Sequence, residues 1–276
     1  EMRRLEIPPI LDLLHFGVPD WLGNFQNPEL PVHFADYADA VAERYPWIRC
    51  YTPVNEIYVT ARMSGKDGLW NEQLTTDRGY VTALKHCVAA SILANHVIAK
   101  RRPDCIIVQS ESAEFTHEAR AERSPEITLR NKLRFVALDL LYAHAPDADV
   151  CLYLMDNGMT REEYAWFMKG EPPGYQVMGN DYYGRNERIV LPNGDTRKTC
   201  SAGIRSRKVT MTVTGSRSCI RKPTCSMLRR RQRGFGSSGS TCSECARTAY
   251  RCLVLRGTLL SIRSTGTWGL PSAREP

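Results

Sequence analysis

An Asn-Glu pair directly after a short apolar segment is the part of this sequence best suited to acid–base chemistry. Residues 51–56 read Tyr-Thr-Pro-Val-Asn-Glu, and the aromatic and β-branched residues before them predict a strand over 47–52. In parallel α/β proteins, functional side chains collect at the carboxyl ends of the strands. Glu56 is therefore a candidate catalytic carboxyl, the alternative being an ordinary solvated loop residue.

Polar side chains also follow other apolar segments of the chain. Residues 7–14 are apolar and end at His15, which could equally be a satisfied core residue. The continuous apolar run 105–110, typical of a strand buried on both faces, leads into Glu111. A further strand is predicted over 176–183.

Helical periodicity separates these predicted strands. The spacing of apolar residues predicts helices over 33–45, 77–101, 128–144 and 161–168. Asp77 is a plausible N-cap after a polar loop at 62–76. The alternation of strand and helix predicts a parallel sheet with crossover helices, and the four visible units amount to half of an eight-fold barrel.

Composition divides the chain into two parts. Of the 276 residues 42% are hydrophobic, which supports a core, but residues 197–276 carry a net charge of +15 and residues 1–196 a net charge of −8. Cys50, Cys87, Cys105 and Cys151 are scattered in the first part, as in proteins of a reducing compartment. No apolar run approaches the roughly 18 residues of a membrane helix and no signal peptide is visible, so we expect a soluble cytoplasmic protein without a membrane partner.

Three segments together resemble the family 1 glycoside hydrolases, the β-glucosidase family. They are residues 13–22 (Leu-Leu-His-Phe-Gly-Val-Pro-Asp-Trp-Leu), residues 51–56, and residues 179–183 (Gly-Asn-Asp-Tyr-Tyr). These segments look like the family's third-, fourth- and sixth-strand motifs, and the resemblance covers about residues 5–196. It implies a partial (β/α)8 TIM barrel comprising about strands 3–6, with the first two strands missing from this sequence.

The resemblance implies hydrolysis of β-linked sugars with retention of configuration, which needs two carboxyl groups ~5 Å apart. By the family's pattern Glu56 is the acid/base, and Asn55 binds the sugar 2-hydroxyl. His15 would contact hydroxyls of the innermost sugar, Tyr183 would orient the nucleophile, and Asp181 would belong to the substrate-binding set. No metal or organic cofactor is implied, and the expected partner is a small carbohydrate.

The sequence departs from the family's pattern at several positions. Ile57 stands where Pro is usual, Gly17 replaces an Asp, and Asp181 stands where Asn is usual. These departures bear on sugar specificity more than on the reaction. Glu111, which ends another predicted strand, is a further candidate for a sugar-binding carboxylate.

The basic part, residues 197–276, admits three interpretations and is predicted to be an irregular or disordered tail. It could be a nucleic-acid arm attached to a non-catalytic barrel fragment, with residues 229–233 (Arg-Arg-Arg-Gln-Arg) binding phosphates, although we consider this partner improbable. It could hold a metal through Cys242 and Cys245, but a single CxxC is a weak signal. It could also be coding sequence translated out of register.

The out-of-register interpretation can be examined against the genetic code. In the register one base earlier, residues 210–224 can be encoded by codons that read YDRYRKPVMHTETD, and other tail segments yield several tryptophans, which have a single codon. The HTET-like stretch resembles the family's nucleophile segment, with the Glu codon straddling Arg221 and Lys222. We therefore hypothesise a frameshift near residues 196–198, which would leave this chain without a nucleophile and inactive.

Overall fold

The chain alternates strands and helices as far as Asp181. The computed structural model describes residues 1–119, 124–170, 172–181, 183, 186–191, 193–198, 250–255 and 258–263. The strands are β1 (Ile10–Leu14), β2 (Cys50–Val54), β3 (Ile106–Ser112), β4 (Phe115–Glu118), β5 (Tyr175–Asp181), β6 (Glu187–Val190), β7 (Thr196–Lys198), β8 (Tyr250–Leu255) and β9 (Thr258–Arg263). The α-helices are α1 (Leu30–Arg44), α2 (Ile57–Gly65), α3 (Asp77–Arg101), α4 (Pro125–Leu133), α5 (Val136–Leu141), α6 (Ala148–Asp156) and α7 (Arg161–Phe167), with a 3-10 helix at Asp20–Leu22.

The main sheet has the order β1-β2-β3-β5-β9-β8, and its first four strands are parallel. Helices connect these four strands, so the predicted parallel sheet with crossover helices is confirmed. Because the strands are parallel and adjacent, their carboxyl ends meet at one edge of the sheet. A second sheet consists of β4, which comes after β3 in the sequence, and of β6 and β7, which come after β5.

The hydrophobic core lies between the parallel sheet and the helices. Tyr51 of β2 and Ile107 of β3 are fully buried there, and α3 packs against both α1 and α2. The opposite face of the sheet carries a small separate apolar cluster around Val108 and Val177. The sheet thus has one face covered by helices, as in a segment of an α/β barrel.

Helix α3 is long and apolar, although the sequence contains no continuous apolar run of the length that spans a membrane. Among the described residues it is the one helix whose length and hydropathy would allow it to cross a membrane, and 56% of its most apolar window is buried inside the protein. Its buried side chains pack against α1 and α2, as those of a core helix do.

Several element boundaries differ from those predicted. Helix α2 overlaps the start of the predicted polar loop. Eight of its nine residues are buried, and these include Arg62 and Ser64, polar residues that indicated a loop. Helix α6 was also not predicted, and the predicted helix over 128–144 is two helices, α4 and α5. Thr76, rather than Asp77, caps α3, since its side chain accepts a hydrogen bond from the Gly79 amide.

Strand β2 begins three residues later than predicted. Ile48 donates its amide to the Tyr45 carbonyl in a turn after α1, so the apolar residues at 47–48 fill the core from a loop. Pro53 lies inside the strand, one residue before its end, where the missing amide interrupts the ladder least. The strand consequently ends directly before Asn55.

Most of the basic tail lies outside the described residues. The predictions of an irregular tail, a nucleic-acid arm, a Cys242–Cys245 metal site and a hidden nucleophile segment at residues 210–224 all concern that part of the chain and stay predictions. The three described segments of the tail are all in strands: residues 197–198 belong to β7, which pairs antiparallel with β6, while β9 pairs antiparallel with β5 and β8 with β9.

Candidate active site

The carboxyl ends of β1, β2 and β5 bring together residues that the sequence singled out. His15 follows β1, Asn55 and Glu56 follow β2, and Asp181 is the last residue of β5. The register aligns β1 with β2 through Asp12 and Thr52 and places Asp181 beside Ser112 at the end of β3. Residues far apart in the sequence are therefore neighbours at one edge of the sheet.

Glu56 occupies a strained position between β2 and α2. Its backbone is left-handed, with φ 43° and ψ 60°, a conformation that side chains other than glycine adopt at a cost of about 1–2 kcal/mol. Three backbone hydrogen bonds hold this turn: Asn55 N to Leu14 O at 3.0 Å, Glu56 N to Ser110 O at 2.9 Å, and Thr60 N to Glu56 O at 2.9 Å. Strain maintained in this way is typical of functional sites.

The side chain of Glu56 is only 6% exposed and lies against a second carboxyl group. Burial raises the pKa of Glu56 to about 8, helped by the charge of Asp181 and by a hydrogen bond that protonated Glu56 donates to it; the charge of Glu114 acts in the same direction. The Oε1 atom is buried without a hydrogen-bond partner among the described residues. Burial and the neighbouring carboxyl groups thus favour the protonated form of Glu56.

Asn55 and Asp181 are both buried beside Glu56. The Asn55 carbonyl accepts a hydrogen bond from the Thr60 hydroxyl at 3.1 Å, which ties the pair to α2. The Asp181 carbonyl accepts from the Ala113 amide at 2.9 Å and from Asn186 Nδ2 at 3.1 Å. Backbone contacts with neighbouring elements thus fix both residues.

His15 lies at the same edge but is open to solvent, with 59% of its side chain exposed. Its Nδ1 is 2.6 Å from Asp12 Oδ2, and its ring packs edge-on against Phe16. Burial raises the pKa of the Asp12 carboxyl, His15 lowers it, and the charge of Asp181 raises it further. His15 is therefore an oriented, accessible imidazole and not the core residue that was the alternative.

Tyr183 lies beyond the end of β5 and is 55% exposed. Partial burial raises the pKa of its hydroxyl, and the charges of Asp181 and Glu56 add to the effect, so the ring lies within electrostatic range of both carboxyl groups. The sequence predicts that this chain lacks the nucleophile that Tyr183 would orient. Its role therefore stays a prediction.

Glu111 does not face the open edge with the other candidates, contrary to the idea that it binds sugar. Its carboxyl group is buried on the helix side of β3, where its oxygens accept hydrogen bonds from the amides of Ile57 at 3.0 Å and Tyr58 at 3.3 Å. The alternation of side chains along β3 decides this, because Ser110 and Ser112 take the other face.

An ion-pair network behind Glu56 was not recognised in the sequence. Arg62 of α2 is 4% exposed and donates hydrogen bonds to Asp67 at 3.0 Å, to the Tyr58 hydroxyl at 3.2 Å and to both carboxylate oxygens of Glu114. The charge of Arg62 lowers the pKa of Glu56, against the larger raising effects. Only its position on a helix directly after Asn-Glu could have signalled it.

Metal-ligand geometry is not found in the described part of the chain, where no group of three or more His, Cys, Asp or Glu side chains could hold an ion. The four cysteines at 50, 87, 105 and 151 are free.

Comparison with known proteins relates this chain by fold to one group of enzymes. No protein-family model and no curated protein matches the sequence. Among solved structures, a family 1 β-glucosidase from Thermotoga maritima matches with a TM-score of 0.60 at 15% identity, over 71% of this chain and 46% of the enzyme. Complexes of the Thermotoga maritima β-glucosidase with cyclophellitol and with glucoimidazole match with TM-scores of 0.59 and 0.60, at 15% and 14% identity, over 71% of this chain and 45% and 46% of theirs. The chain therefore spans less than half the length of these enzymes, and over that span it has their α/β fold.

Proposed function

We propose that this chain is part of a retaining glycoside hydrolase of the family 1 type that acts on β-glucoside-type substrates. The observation that carries the proposal is the environment of Glu56, a buried carboxyl group at the carboxyl end of a parallel strand. Its pKa is raised to about 8, and it forms a hydrogen bond with a second carboxyl group, that of Asp181. A general acid that works near neutral pH needs such an elevated pKa. The fold shared with β-glucosidases is consistent with this chemistry.

In the proposed reaction, Glu56 protonates the glycosidic oxygen as the bond to the anomeric carbon breaks. It later removes a proton from the water molecule that releases the sugar. Asn55 binds the sugar 2-hydroxyl, and His15 bonds a further hydroxyl through Nε2, since Asp12 occupies Nδ1. The bound ligand would be a small carbohydrate, and no cofactor is required.

Asp181 does not meet the geometric requirement for the nucleophile. A retaining pair of carboxyl groups is separated by ~5 Å so that the sugar fits between them. Asp181 is instead in direct hydrogen-bond contact with Glu56, and its charge helps to retain the Glu56 proton. We therefore assign Asp181 to the environment of the acid and place the nucleophile in the hidden register of the tail.

Turnover of an aryl β-glucoside tests the proposed function. The chain as printed should give no turnover, and the product of a gene corrected by one base near codon 197 should hydrolyse the substrate with retention of configuration. Changing Glu56→Gln in the corrected protein should reduce kcat/KM by at least about a hundredfold. Azide should restore the rate with a substrate that has a good leaving group, since such a substrate needs no acid.

A control variant distinguishes loss of the acid from general damage. Glu29 is an exposed carboxyl residue at the start of α1, and Glu29→Gln should retain full turnover. The proposal is wrong if the corrected protein has no glycosidase activity, or if Glu56→Gln is as active as Glu29→Gln.

A further inference from the structure

A buried carboxyl group lies on the helix side of the sheet, next to the turn that carries Glu56. Glu111, the sixth residue of β3, is 2% exposed. Burial raises its pKa to about 8, and the hydrogen bonds from Tyr58, Ile57 and Gln109 act against that increase. A carboxyl group is costly to bury, so its contacts require a structural or functional reason.

Those contacts are with the first turn of α2. Glu111 Oε1 accepts from Ile57 N at 3.0 Å, Oε2 accepts from Tyr58 N at 3.3 Å, and Gln109 Nε2 donates to Oε1 at 3.1 Å. The amides of a first helical turn have no partner within the helix and are normally satisfied by the side chain of the N-cap residue. Here a residue more than fifty positions away in the sequence satisfies them.

The residue at the N-cap position of α2 is Glu56, and its side chain does not cap the helix. Its carboxyl group is directed to Asp181 instead. If the amides of Ile57 and Tyr58 had no other acceptor, the carboxyl group of Glu56, the N-cap residue, would be in the position from which a side chain normally bonds them. The left-handed backbone of Glu56 persists only while the neighbouring bonds hold it.

We infer that Glu111 is a positioning residue for Glu56: it caps α2 from β3 and so leaves the Glu56 carboxyl in the site. Its chemical meaning rests on the proposed function, in which Glu56 is the acid. The capping geometry itself does not depend on that function.

Two substitutions separate capping from other effects of Glu111. Glu111→Gln retains an acceptor oxygen and is isosteric with the protonated acid, whereas Glu111→Leu fills the space and removes both acceptors. Glu118 provides a matched control, since its oxygens accept from the Ser124 amide at 3.0 and 2.9 Å at the start of α4. Ser124 is the N-cap residue of α4 and caps that helix with its own hydroxyl, so Glu118→Leu removes a carboxyl–amide contact just before another helix and leaves the cap of that helix in place.

The experiment is a carboxyl carbon-13 NMR titration of the full chain labelled in glutamate, with Glu56→Gln used to assign the Glu56 signal. In Glu111→Leu the pKa of Glu56 should fall by one unit or more relative to Glu111→Gln, because the released side chain moves away from Asp181 toward the free amides. Glu118→Leu should leave the titration of Glu56 unchanged. Equal Glu56 titrations in the Leu and Gln variants at position 111 would overturn the inference.

A second measurement applies if Glu111→Leu does not fold. In the unmodified chain the amide proton of Ile57 should move downfield as Glu111 ionises around pH 8, and this movement should disappear in Glu111→Gln. An Ile57 amide that does not sense the titration of Glu111 would also overturn the inference. Neither measurement requires turnover, so a negative activity result for the frame-corrected protein would refute the proposed function alone.

Discussion

At the scale of single residues, two kinds of neighbour hold the proton of Glu56. The surrounding core removes water from the carboxyl group, and Asp181 accepts its hydrogen bond and adds a like charge. Both effects favour the neutral form, while Arg62 favours the charged one. Since Glu56 and Asp181 interact strongly, their titration belongs to the pair.

The raised pKa of Glu56 predicts a pH-dependent stability. The folded chain keeps this proton up to about pH 8, whereas the unfolded chain loses it near the ordinary value of 4.5. The free energy of unfolding should therefore fall as the pH rises from about 5 to 8. Glu56→Gln should remove part of this fall and stabilise the protein at pH 8 by about 1 kcal/mol or more, measured by urea unfolding at both pH values. The exposed substitution Glu29→Gln should not alter the slope, and an unchanged slope in Glu56→Gln would contradict the prediction.

Asp181 should be one of the groups that raise the Glu56 pKa. Asp181→Asn removes the like charge but keeps an oxygen that can accept the hydrogen bond, so the pKa of Glu56 should fall by about one unit. Carboxyl carbon-13 NMR of glutamate-labelled protein measures this shift. Asp149→Asn, on the surface of α6, is the matched control and should leave Glu56 unaffected. A Glu56 midpoint that stays near 8 in Asp181→Asn would show that the charge of Asp181 does not contribute to the shift.

At the scale of elements, the position of α2 depends on close contact with α3. A Cβ atom added to Gly65 would lie 2.5 Å from the backbone of Gly79 and Tyr80, and one added to Gly79 would lie 2.7 Å from the Gly65 carbonyl. No side chain fits at this crossing, so the two backbones pack directly. This contact fixes the end of α2 opposite to Glu56.

Gly65→Ala should consequently destabilise the protein by about 1–3 kcal/mol, since backbone atoms cannot move aside as side chains do. Thermal or urea unfolding measures the loss. Gly170→Ala is the control, because a Cβ atom there meets nothing within 4 Å, and its effect should be within about 0.5 kcal/mol. Equal stability of the two variants would show that α2 can shift away from α3 at little cost.

At the scale of the whole molecule, the four parallel strands among the described residues form an open sheet that resembles a segment of an α/β barrel. The chain spans 45–46% of the length of the β-glucosidases that it resembles in fold. Strand β1 is at one edge of the main sheet. The proposed retaining reaction needs a second carboxyl group as nucleophile, which is why the origin of the basic tail matters for function.

The tail hypothesis makes a prediction about the gene. Resequencing the genomic locus and its transcript should reveal one additional or missing base near the codons for residues 196–198. Restoring the frame should replace the arginine-rich sequence with one that contains the HTET-like segment. Independent reads that encode residues 197–276 as printed, together with peptides from that tail in the expressed protein, would exclude the frameshift.

The parallel order of strands followed from the sequence alone, and so did the position of Glu56 directly after a strand. Continuous apolar segments mark strands buried on both faces, and such segments can be recognised from consecutive residues without knowledge of the fold. The boundaries of α3 were also predictable, because its periodicity runs for 25 residues between a threonine cap and Pro103. Helix α2 was not, since its polar residues Arg62 and Ser64 indicated a solvated loop and are instead buried.

The tertiary structure alone decided what surrounds Glu56. Asp181 is the last residue of β5 and Glu111 the last but one of β3, and both are carboxyl residues, yet one contacts the Glu56 side chain and the other the amides of Ile57 and Tyr58. The sequence determines which residues end strands, but which face each one takes depends on register, twist and the helices packed above. Burial and through-space charge set the pKa of Glu56, and both depend on residues brought together only by folding.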